Sequence, residues 1–280
     1  MNGPAPVMLE LLAGESTAIV HPDVGGRLGQ LDLGSGPLLR GPAPNIGPFE
    51  WGCYPLLPWS NRLPGATLRF GDIAASLPAN HDDGSAIHGL AATCPWSVID
   101  HSERRAVLRV DVQGGPYRVR GVQTYALTDG RLDLHLAATN HGDLDVPMGI
   151  GIHPWFRSGP IRVPAAQRWP GEPIPTGQPV DVTGHHDLRA GTVPAPMDAC
   201  FTALSQRWAD VPGTRLRWDG PITHVVVYSG VSGWVCVEPV TMANNGIAMA
   251  DAGIDGHGVQ VLPPGASIEV TYSFERRPPE

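Results

Sequence analysis

Two ionisable residues, His153 and Glu238, lie within otherwise apolar stretches of the sequence. His153 follows Met-Gly-Ile-Gly-Ile and precedes Pro-Trp-Phe, and Glu238 closes the stretch Trp-Val-Cys-Val-Glu-Pro. An imidazolium and a carboxylate can together deliver a proton to one atom and remove a proton from another, which is general acid–base chemistry. Each residue alone also fits a structural role, as a hydrogen-bonded core histidine or as an inert glutamate at a sheet edge.

Three further segments combine a polar side chain with aromatic or glycine neighbours, as sites for polar ligands do. They are Trp-Ser-Asn61-Arg62, Ile-His88-Gly and Met-Asp198-Ala-Cys-Phe. His88 precedes a glycine, which fits either a plain turn or a backbone pressed against a ligand. Arg62 fits an ordinary surface arginine equally well.

Two clusters rich in histidine and aspartate are the candidates for a metal site. They are residues 81–83 (His-Asp-Asp) and residues 185–187 (His-His-Asp). Both lie among Asn, Asp, Gly or Thr, which is typical of solvated loops, and neither has a firm ligand spacing. We therefore expect no metal ion.

The elements that must position these residues read as strands. Apolar residues alternate with polar ones over residues 106–112, 132–136 and 268–274, which predicts half-buried strands. Residues 225–228 and 234–237 read as more fully buried strands joined by Ser-Gly-Val-Ser-Gly, which indicates a hairpin. The pattern predicts an all-β protein, a large antiparallel β-sandwich.

The best helical candidate lies near residues 198–208, but it is short and bounded by Pro196 and Pro212. Residues 160–196 are rich in Pro, Gly, Thr and Asp, with little periodicity, which indicates a loop-rich excursion. The excursion fits a surface insertion or a domain linker. Since β proteins of 280 residues often form one domain, we expect residues 1–280 to be a single domain.

Composition limits the partners and the compartment. The formal charge is −8 and all 19 basic residues are arginine, which argues against a nucleic-acid partner. The four cysteines form no C-x-x-C pair and lie in apolar or aromatic contexts, so we expect reduced core thiols. The amino-terminal stretch lacks a basic leader region, and its short apolar run is broken by Glu10. These features predict a cytoplasmic protein without a membrane segment. The sequence leaves the oligomeric state, monomer or homodimer, open.

Taken in order, the segments resemble the aldose 1-epimerase, or galactose mutarotase, family. The set comprises Asn61-Arg62, His88-Gly, Gly-Ile-His153-Pro-Trp-Phe, an apolar strand ending in Glu238-Pro, and a Leu-x-Pro-Gly turn before the last strand. The match runs from about Gly-Gly-Arg27 to the end of that strand, nearly the whole chain. The chain differs from the better-known galactose enzymes in being shorter, and in its residues after the histidine and around the glutamate, which leaves the sugar open.

The resemblance implies a β-supersandwich with an open sugar cleft and no cofactor. It implies that the chain is an isomerase that interconverts the α and β anomers of an aldose, with His153 protonating the ring oxygen and Glu238 accepting the proton of the anomeric hydroxyl. Arg62, His88 and Asp198 would position the sugar, although the sequence also offers Asp187 and Asp210 for the aspartate. The residues Asn61 and Trp155 are further candidates for substrate binding, Trp155 as an aromatic platform alongside Trp59 and Trp96.

The proposed chemistry makes two demands. A base and an acid must reach the same acetal carbon, and we expect them to stand on opposite sides of it. With an ionised glutamate and a protonated histidine, activity should be bell-shaped, the acidic limb set by the base and the basic limb by the acid.

Two other functions fit parts of the same pattern. A non-catalytic carbohydrate-binding β-sandwich would use aromatic residues in a cleft but would need no acid–base pair. A glycoside hydrolase would need two carboxylates, and only Glu238 lies in a matched motif. An aldose that carries a phosphate or sulfonate would need an arginine beyond Arg62, for which Arg157 is available.

Overall fold

Antiparallel strands dominate the computed structural model, which describes residues 8–277. The strands are β1 (Leu9–Ala13), β2 (Ser16–His21), β3 (Arg27–Asp32), β4 (Cys53–Leu56), β5 (Arg62–Leu63), β6 (Thr67–Phe70), β7 (Ile73–Ser76), β8 (Ala86–Ile87), β9 (Ser97–Ser102), β10 (Arg105–Gly114), β11 (Tyr117–Thr128), β12 (Arg131–Asn140), β13 (Val146–Met148), β14 (Gly151–Arg157), β15 (Ala165–Arg168), β16 (Val180–Asp181), β17 (Asp198–Leu204), β18 (Trp208–Val211), β19 (Thr214–Asp219), β20 (His224–Tyr228), β21 (Trp234–Val240), β22 (Gln260–Leu262) and β23 (Ser267–Arg276). One α-helix, α1 (Gly246–Asp251), and two 3-10 turns, Pro64–Ala66 and Gly184–His186, complete the regular structure of this range. The all-β prediction is confirmed.

Two large sheets pack face to face within the described range. One has ten strands in the order β1-β2-β3-β4-β14-β21-β20-β17-β15-β16, and the other has seven in the order β18-β19-β23-β12-β11-β10-β9. Contacts such as the 6.3 Å between the ring centroids of Phe156 and Phe274 join the two inner faces. Tyr125 adds a hydrogen bond between the sheets, from its hydroxyl to the Gly26 carbonyl at 2.7 Å. The predicted antiparallel sandwich is therefore present.

The seven-stranded sheet is the regular half of the sandwich. The strands β10, β11, β12 and β23 are ten to twelve residues long, and buried and exposed residues alternate along them. Because side chains on a strand point to opposite faces in turn, one face of this sheet packs on the core and the other meets solvent. The alternation of the sequence predicted β10, β12 and β23 correctly.

The centre of the ten-stranded sheet is buried on both faces. Along β21, Val235 and Val237 pack in the core between the sheets, while Cys236 belongs to a second apolar cluster on the opposite face. This is why β20 and β21 read as continuous apolar runs, and the predicted hairpin between them is confirmed. The second face carries the cleft described below.

The helical candidate at residues 198–208 is wrong. This stretch forms β17 and β18, and β17 pairs with both β15 and β20 in the ten-stranded sheet. Ala199, Cys200 and Phe201 are buried at consecutive positions of β17, which is possible because both faces of the sheet are covered there. Pairing with neighbouring strands therefore outweighs the weak helical pattern.

The excursion at residues 160–196 adds β15 and β16 to one edge of the ten-stranded sheet, so part of it is sheet rather than loop.

The four cysteines are free thiols; three are buried, and Cys94 is partly exposed. Within the described range, no helix is long and apolar enough to cross a bilayer. Residues 1–7, which form half of the amino-terminal stretch considered for a leader, lie outside the described residues.

Candidate active site

Strand pairing brings His153 and Glu238 together. The ladder between β14 and β21 pairs Gly151 with Val240 and Trp155 with Cys236, a register that puts His153 opposite Glu238. Both side chains point to the cleft face, and the imidazole Nε2 lies 3.2 Å from the carboxylate Oε1. Two residues that are 85 positions apart in sequence thus form one contact pair.

A proline follows each member of the pair, and this shapes the backbone locally. Pro154 follows His153, and Pro239 follows Glu238. The residue before a proline is restricted to extended conformations, which suits the strand geometry of both ionisable residues. Since proline has no N–H, the β14–β21 ladder is interrupted at this point.

Burial opposes charge on both residues of the pair. His153 and Glu238 are 5% and 2% exposed. Loss of hydration lowers the pKa of His153 to about 3 and raises the pKa of Glu238 well above its usual range. The pair therefore holds a single proton over a wide pH range, and burial favours the form with a neutral imidazole and a protonated carboxyl group.

An aromatic ring and a buried guanidinium lie behind His153. Tyr54 of β4 stacks on the imidazole with ring centroids 4.7 Å apart. The guanidinium of Arg27 lies 5.0 Å from the centre of the Tyr54 ring and donates hydrogen bonds to backbone carbonyls, including those of Pro48 and Trp51. Its positive charge adds to the burial that lowers the pKa of His153.

A short ribbon, β5 with β8, positions Arg62 and His88. The backbone N–H of His88 donates to the Asn61 carbonyl at 2.9 Å, and both residues have positive φ angles, 64° and 54°. Such conformations persist only where the surrounding structure holds them. A Cβ on Gly89 would lie 2.0 Å from the Leu57 carbonyl oxygen, so contact with the chain itself explains the glycine after His88.

The imidazole of His88 meets that of His153 edge to face, with ring centroids 4.8 Å apart. His88 is buried, and its Nδ1 has no hydrogen-bond partner among residues 8–277. Burial, followed by the charges of His153 and Arg62, lowers the pKa of His88 well below its usual value. His88 is therefore neutral at ordinary pH.

Arg62 is fixed by three oxygen-bearing side chains. Its Nε donates to Asp83 Oδ2 at 2.9 Å, and its Nη1 donates to Asp198 Oδ2 at 3.2 Å and to Asn61 Oδ1 at 3.3 Å. Burial raises the pKa of Asp198, and the charge of Arg62 opposes that rise. The excursion also reaches this point, since the backbone N–H of Asp198 donates to Glu172 Oε2 at 3.1 Å.

Trp155 forms a wall of the site next to His153. Its Nε1 donates to the Phe49 carbonyl at 2.9 Å, and its ring meets Tyr228 edge to face at 5.8 Å. The other two tryptophans considered as platforms, Trp59 and Trp96, are buried in the core between the sheets. Only Trp155 of these three lines the cleft.

These side chains surround an open cleft of about 290 Å³. All seven residues predicted for catalysis or substrate binding line it. The lining residues are Gly47, Pro48, Phe49, Glu50, Asn61, Arg62, Asn80, His81, Asp82, Ile87, His88, His153, Trp155, Asp198, Tyr228, Val231 and Glu238. Arg157 lies elsewhere, exposed over the Trp234 ring at 5.5 Å, and it does not line the cleft.

One geometric expectation is wrong. His153 and Glu238 stand side by side, in contact at 3.2 Å, rather than on opposite sides of a ligand. The physical reason is that directly opposed residues of an antiparallel pair have Cβ atoms only about 4.5–5.5 Å apart. A ligand must therefore lie over both groups.

The two alternative aspartates for positioning the sugar lie outside the site. Asp187 pairs with Arg189 and Asp210 with Arg215, and neither aspartate lines the cleft.

The sequence did not identify three residues that shape the site. Asp83, considered only within a metal cluster, orients Arg62, and Tyr54 stacks on His153. Tyr228 lines the cleft at the end of β20. The signal for Asp83 was its place just before the His88 segment, whereas nothing in the local sequence marks the other two.

Metal ligation points to a different place from the two loop clusters. Among residues 8–277, one group of three potential ligands has its atoms within 4.8 Å of one another, and it consists of His153, Cys236 and Glu238. In the loops, His81 contacts Asp83 at 3.0 Å and His186 contacts Glu172 at 2.6 Å, but neither contact belongs to such a group of three.

Comparison with known proteins gives a family and a fold. The model of the aldose 1-epimerase family matches residues 8–275. The uncharacterised Escherichia coli K12 protein YphB is 30% identical over 137 residues, which are 48% of this chain and 47% of YphB. YihR from the same organism is 30% identical over 106 residues, 36% of this chain and 34% of YihR. The chain thus spans about half or less of the curated relatives that it matches.

Two solved structures share the architecture over almost their whole length. A candidate aldose 1-epimerase from E. coli K12 has a TM-score of 0.84 at 21% identity, covering 98% of this chain and 99% of that one. A galactose mutarotase-like protein from Clostridium acetobutylicum has a TM-score of 0.79 at 20% identity, covering 97% and 99%. At these identities the likeness establishes a shared fold.

Proposed function

Since the chain belongs to the aldose 1-epimerase family, we propose that it interconverts the α and β anomers of a free aldose by opening and closing the sugar ring. The observation that carries the proposal is the buried 3.2 Å contact between His153 and Glu238 on the floor of an open cleft. Glu238 takes the proton of the C1 hydroxyl while His153 delivers a proton to the ring oxygen. Neighbouring groups suit this task because both oxygens are bonded to the same carbon.

The pair carries one proton through the whole cycle. With the cyclic sugar bound, His153 holds the proton and Glu238 is ionised. Ring opening moves one proton from His153 to the ring oxygen and another from the C1 hydroxyl to Glu238. The open aldehyde then rotates about its C1–C2 bond, and the reverse transfers close the ring on the other face. Since only protons move, the reaction requires no cofactor.

Burial of the pair assists the opening step. It disfavours the imidazolium and the carboxylate, the two charged forms that face the cyclic sugar. It thereby makes His153 a stronger acid and Glu238 a stronger base than either is in water. The neutral pair that burial favours is the one that accompanies the open-chain aldehyde.

The remaining lining residues are suited to hold the sugar. Arg62, fixed by Asp83 and Asp198, presents a rigid donor. His88 lines the cleft beside His153. We propose that these groups, with Asn61, bind ring hydroxyls and that Trp155 packs on the sugar, since aromatic walls with a few placed polar groups are typical of small-molecule sites.

The charge of the cleft favours a neutral aldose. Four carboxylate residues line it, and Arg62 is the one lining arginine among residues 8–277. Two carboxylates already engage that guanidinium. A phosphate or sulfonate group would therefore meet like charge without a free cation to balance it. We propose an unsubstituted aldose as the substrate.

Anomer exchange measured by NMR tests the function directly. We expect the protein to accelerate exchange for neutral aldoses, and to act weakly on the corresponding 6-phosphates. The variant His153→Ala should lose at least about a hundredfold in rate while keeping its circular dichroism spectrum. Sugar binding without any acceleration would overturn the epimerase proposal and leave a carbohydrate-binding protein.

A further inference from the structure

The floor of the cleft contains a third metal-ligating side chain that the proposed reaction does not use. Cys236 stands two residues before Glu238 on β21, so both side chains point to the cleft face of the sheet. One ligand atom from each of His153, Cys236 and Glu238 lies within 4.8 Å of the other two, and all three residues are buried. The cluster therefore offers a nitrogen, a sulfur and an oxygen atom at one point.

This donor set and its spacing suit zinc. Tetrahedral Zn²⁺ with bonds of roughly 2.0–2.3 Å holds its ligand atoms roughly 3.3–3.8 Å apart. The 3.2 Å between His153 Nε2 and Glu238 Oε1 is already close to that spacing. The Cys236 sulfur lies within 4.8 Å of a ligand atom of each of the other two residues, so it must move closer to enter the same coordination sphere.

Unpaired buried polar atoms in the cluster are a second observation that points to a ligand. Glu238 Oε2 and His153 Nδ1 are both buried, with no hydrogen-bond partner among residues 8–277. Glu238 is only 2% exposed, and a buried carboxylate oxygen is stabilised by a cation beside it. His153 and Glu238 line the cleft, so an ion can reach them from solvent.

We propose that the cleft floor binds Zn²⁺ through His153, Cys236 and Glu238 and that the ion reversibly blocks the site. The block rests on the proposed function, because the ion occupies the nitrogen and the carboxylate that exchange protons with the sugar. Metal binding itself does not rest on the proposed function. It releases two protons to solvent, that of the Cys236 thiol and the one that the His153–Glu238 pair holds. Since His153 Nδ1 lacks the partner that usually orients a metal-bound imidazole, a chelator should remove the ion readily.

Cobalt absorption tests the site without reference to activity. The full-length protein, freed of metal, is titrated with Co²⁺, and the thiolate-to-cobalt band in the near ultraviolet is followed. We expect a band that saturates at one ion per chain in the wild type and in Cys200→Ala, which removes a buried thiol on β17, separated from β21 by β20. Cys236→Ala and Cys236→Ser should lack the band, with unchanged circular dichroism serving as the folding control.

Zinc inhibition of anomer exchange tests whether the bound ion blocks the site. Each protein's anomer-exchange rate is measured against Zn²⁺ and expressed relative to its own rate without metal. The half-inhibiting concentration should rise at least tenfold in Cys236→Ser but not in Cys200→Ala, and a chelator should restore the rate. A wild type without the cobalt band, or equal zinc sensitivity in both variants, would overturn the proposal. A normal band in a protein without epimerase activity would refute the proposed function alone.

Discussion

Each large sheet carries a histidine and a glutamate in contact across neighbouring strands. In the ten-stranded sheet, His153 and Glu238 are 3.2 Å apart, and their side chains are 6% and 2% exposed. In the seven-stranded sheet, His135 of β12 and Glu269 of β23 are 3.4 Å apart, and their side chains are 39% and 59% exposed. The contact distances are nearly equal, so distance alone does not distinguish the proposed catalytic pair from the exposed pair.

The difference between the two pairs lies in what surrounds them. Water around the exposed pair screens its charges, and such pairs contribute about 0–1 kcal/mol to stability. The buried pair has lost that water and gained the aromatic rings of Tyr54, His88 and Trp155. Desolvation shifts the pKa of both of its members, and shifted groups in a cleft are typical of functional sites.

The two sheets have separate tasks by the same reasoning. The seven-stranded sheet keeps one face in solvent and alternates regularly, as an element selected for packing does. The ten-stranded sheet covers both faces of its centre and keeps unpaired polar atoms on one of them. The predictions below test this division, beginning with the largest expected effect.

Replacing the buried carboxylate should have the largest effect. Glu238→Gln keeps the shape of the side chain but removes the base, so we expect kcat for anomer exchange to fall by about 10²–10⁴. The free energy of unfolding should change little, because a neutral amide of the same shape replaces a carboxyl group whose pKa burial already raises. NMR exchange rates and urea denaturation measure the two quantities.

The exposed pair provides the matched control for that experiment. Glu269→Gln makes the same chemical change next to His135, so its kcat should equal that of the wild type. Equal losses of rate in both variants would contradict the assignment of chemistry to the buried pair.

A cavity in the regular sheet should affect stability without affecting chemistry. Leu134 of β12 is fully buried in the core between the sheets. We expect Leu134→Ala to lower the free energy of unfolding by about 2–5 kcal/mol, through lost burial and the cavity left behind. Urea denaturation measures the loss, and kcat per folded molecule should stay at the wild-type value. A fall in kcat per folded molecule would contradict the division, because it would show that packing in the seven-stranded sheet affects the chemistry in the cleft.

Much of the seven-stranded sheet and of the candidate site could be predicted from the sequence, because both depend on local patterns. The alternation at residues 106–112 and 132–136 marked strands of the seven-stranded sheet, where each residue's environment follows from its own position. The seven residues predicted for the site also meet at one cleft. Their identification depended on an ordered set of motifs.

The features that the sequence missed depend on long-range pairing. The side-by-side arrangement of His153 and Glu238 follows from the register of β14 with β21, which no local pattern specifies. The residues 198–208 join the sheet because β15 and β20 pair with β17. Tyr54 reaches His153 only because β4 lies beside β14. Each of these is decided by a neighbour that is distant in sequence.

The pH dependence of kcat/KM should reflect the buried state of the pair. Activity requires one proton on the pair. On the acidic side it falls when His153 takes up a proton while Glu238 is already protonated, near the lowered His153 pKa of about 3. It falls again when the last proton leaves Glu238, whose pKa is raised. We therefore expect a plateau wider than the interval between the ordinary values of 4.5 and 6.5, with a loss of about tenfold per pH unit beyond each limb.

This plateau reverses the roles expected from the sequence, where the glutamate set the acidic limb and the histidine the basic limb. In both descriptions the active pair carries one proton. Burial changes which group takes up a proton in acid, now His153, and which group loses one in base, now Glu238. Rates of anomer exchange across the accessible pH range measure the profile. A narrow bell between the ordinary values would mean that the pair is hydrated in solution.

The smallest effect should come from the exposed pair itself. Removing His135, Glu269 or both should change the free energy of unfolding by no more than about 1 kcal/mol, and the coupling from a double-mutant cycle should shrink as salt is added. Urea denaturation at low and high salt measures it. A coupling above that size that persists in high salt would mean that the strand pair β12–β23 shields these charges as the cleft shields the other pair. Exposure would then no longer separate the two sheets, and the comparison would rest only on the open cleft above His153 and Glu238.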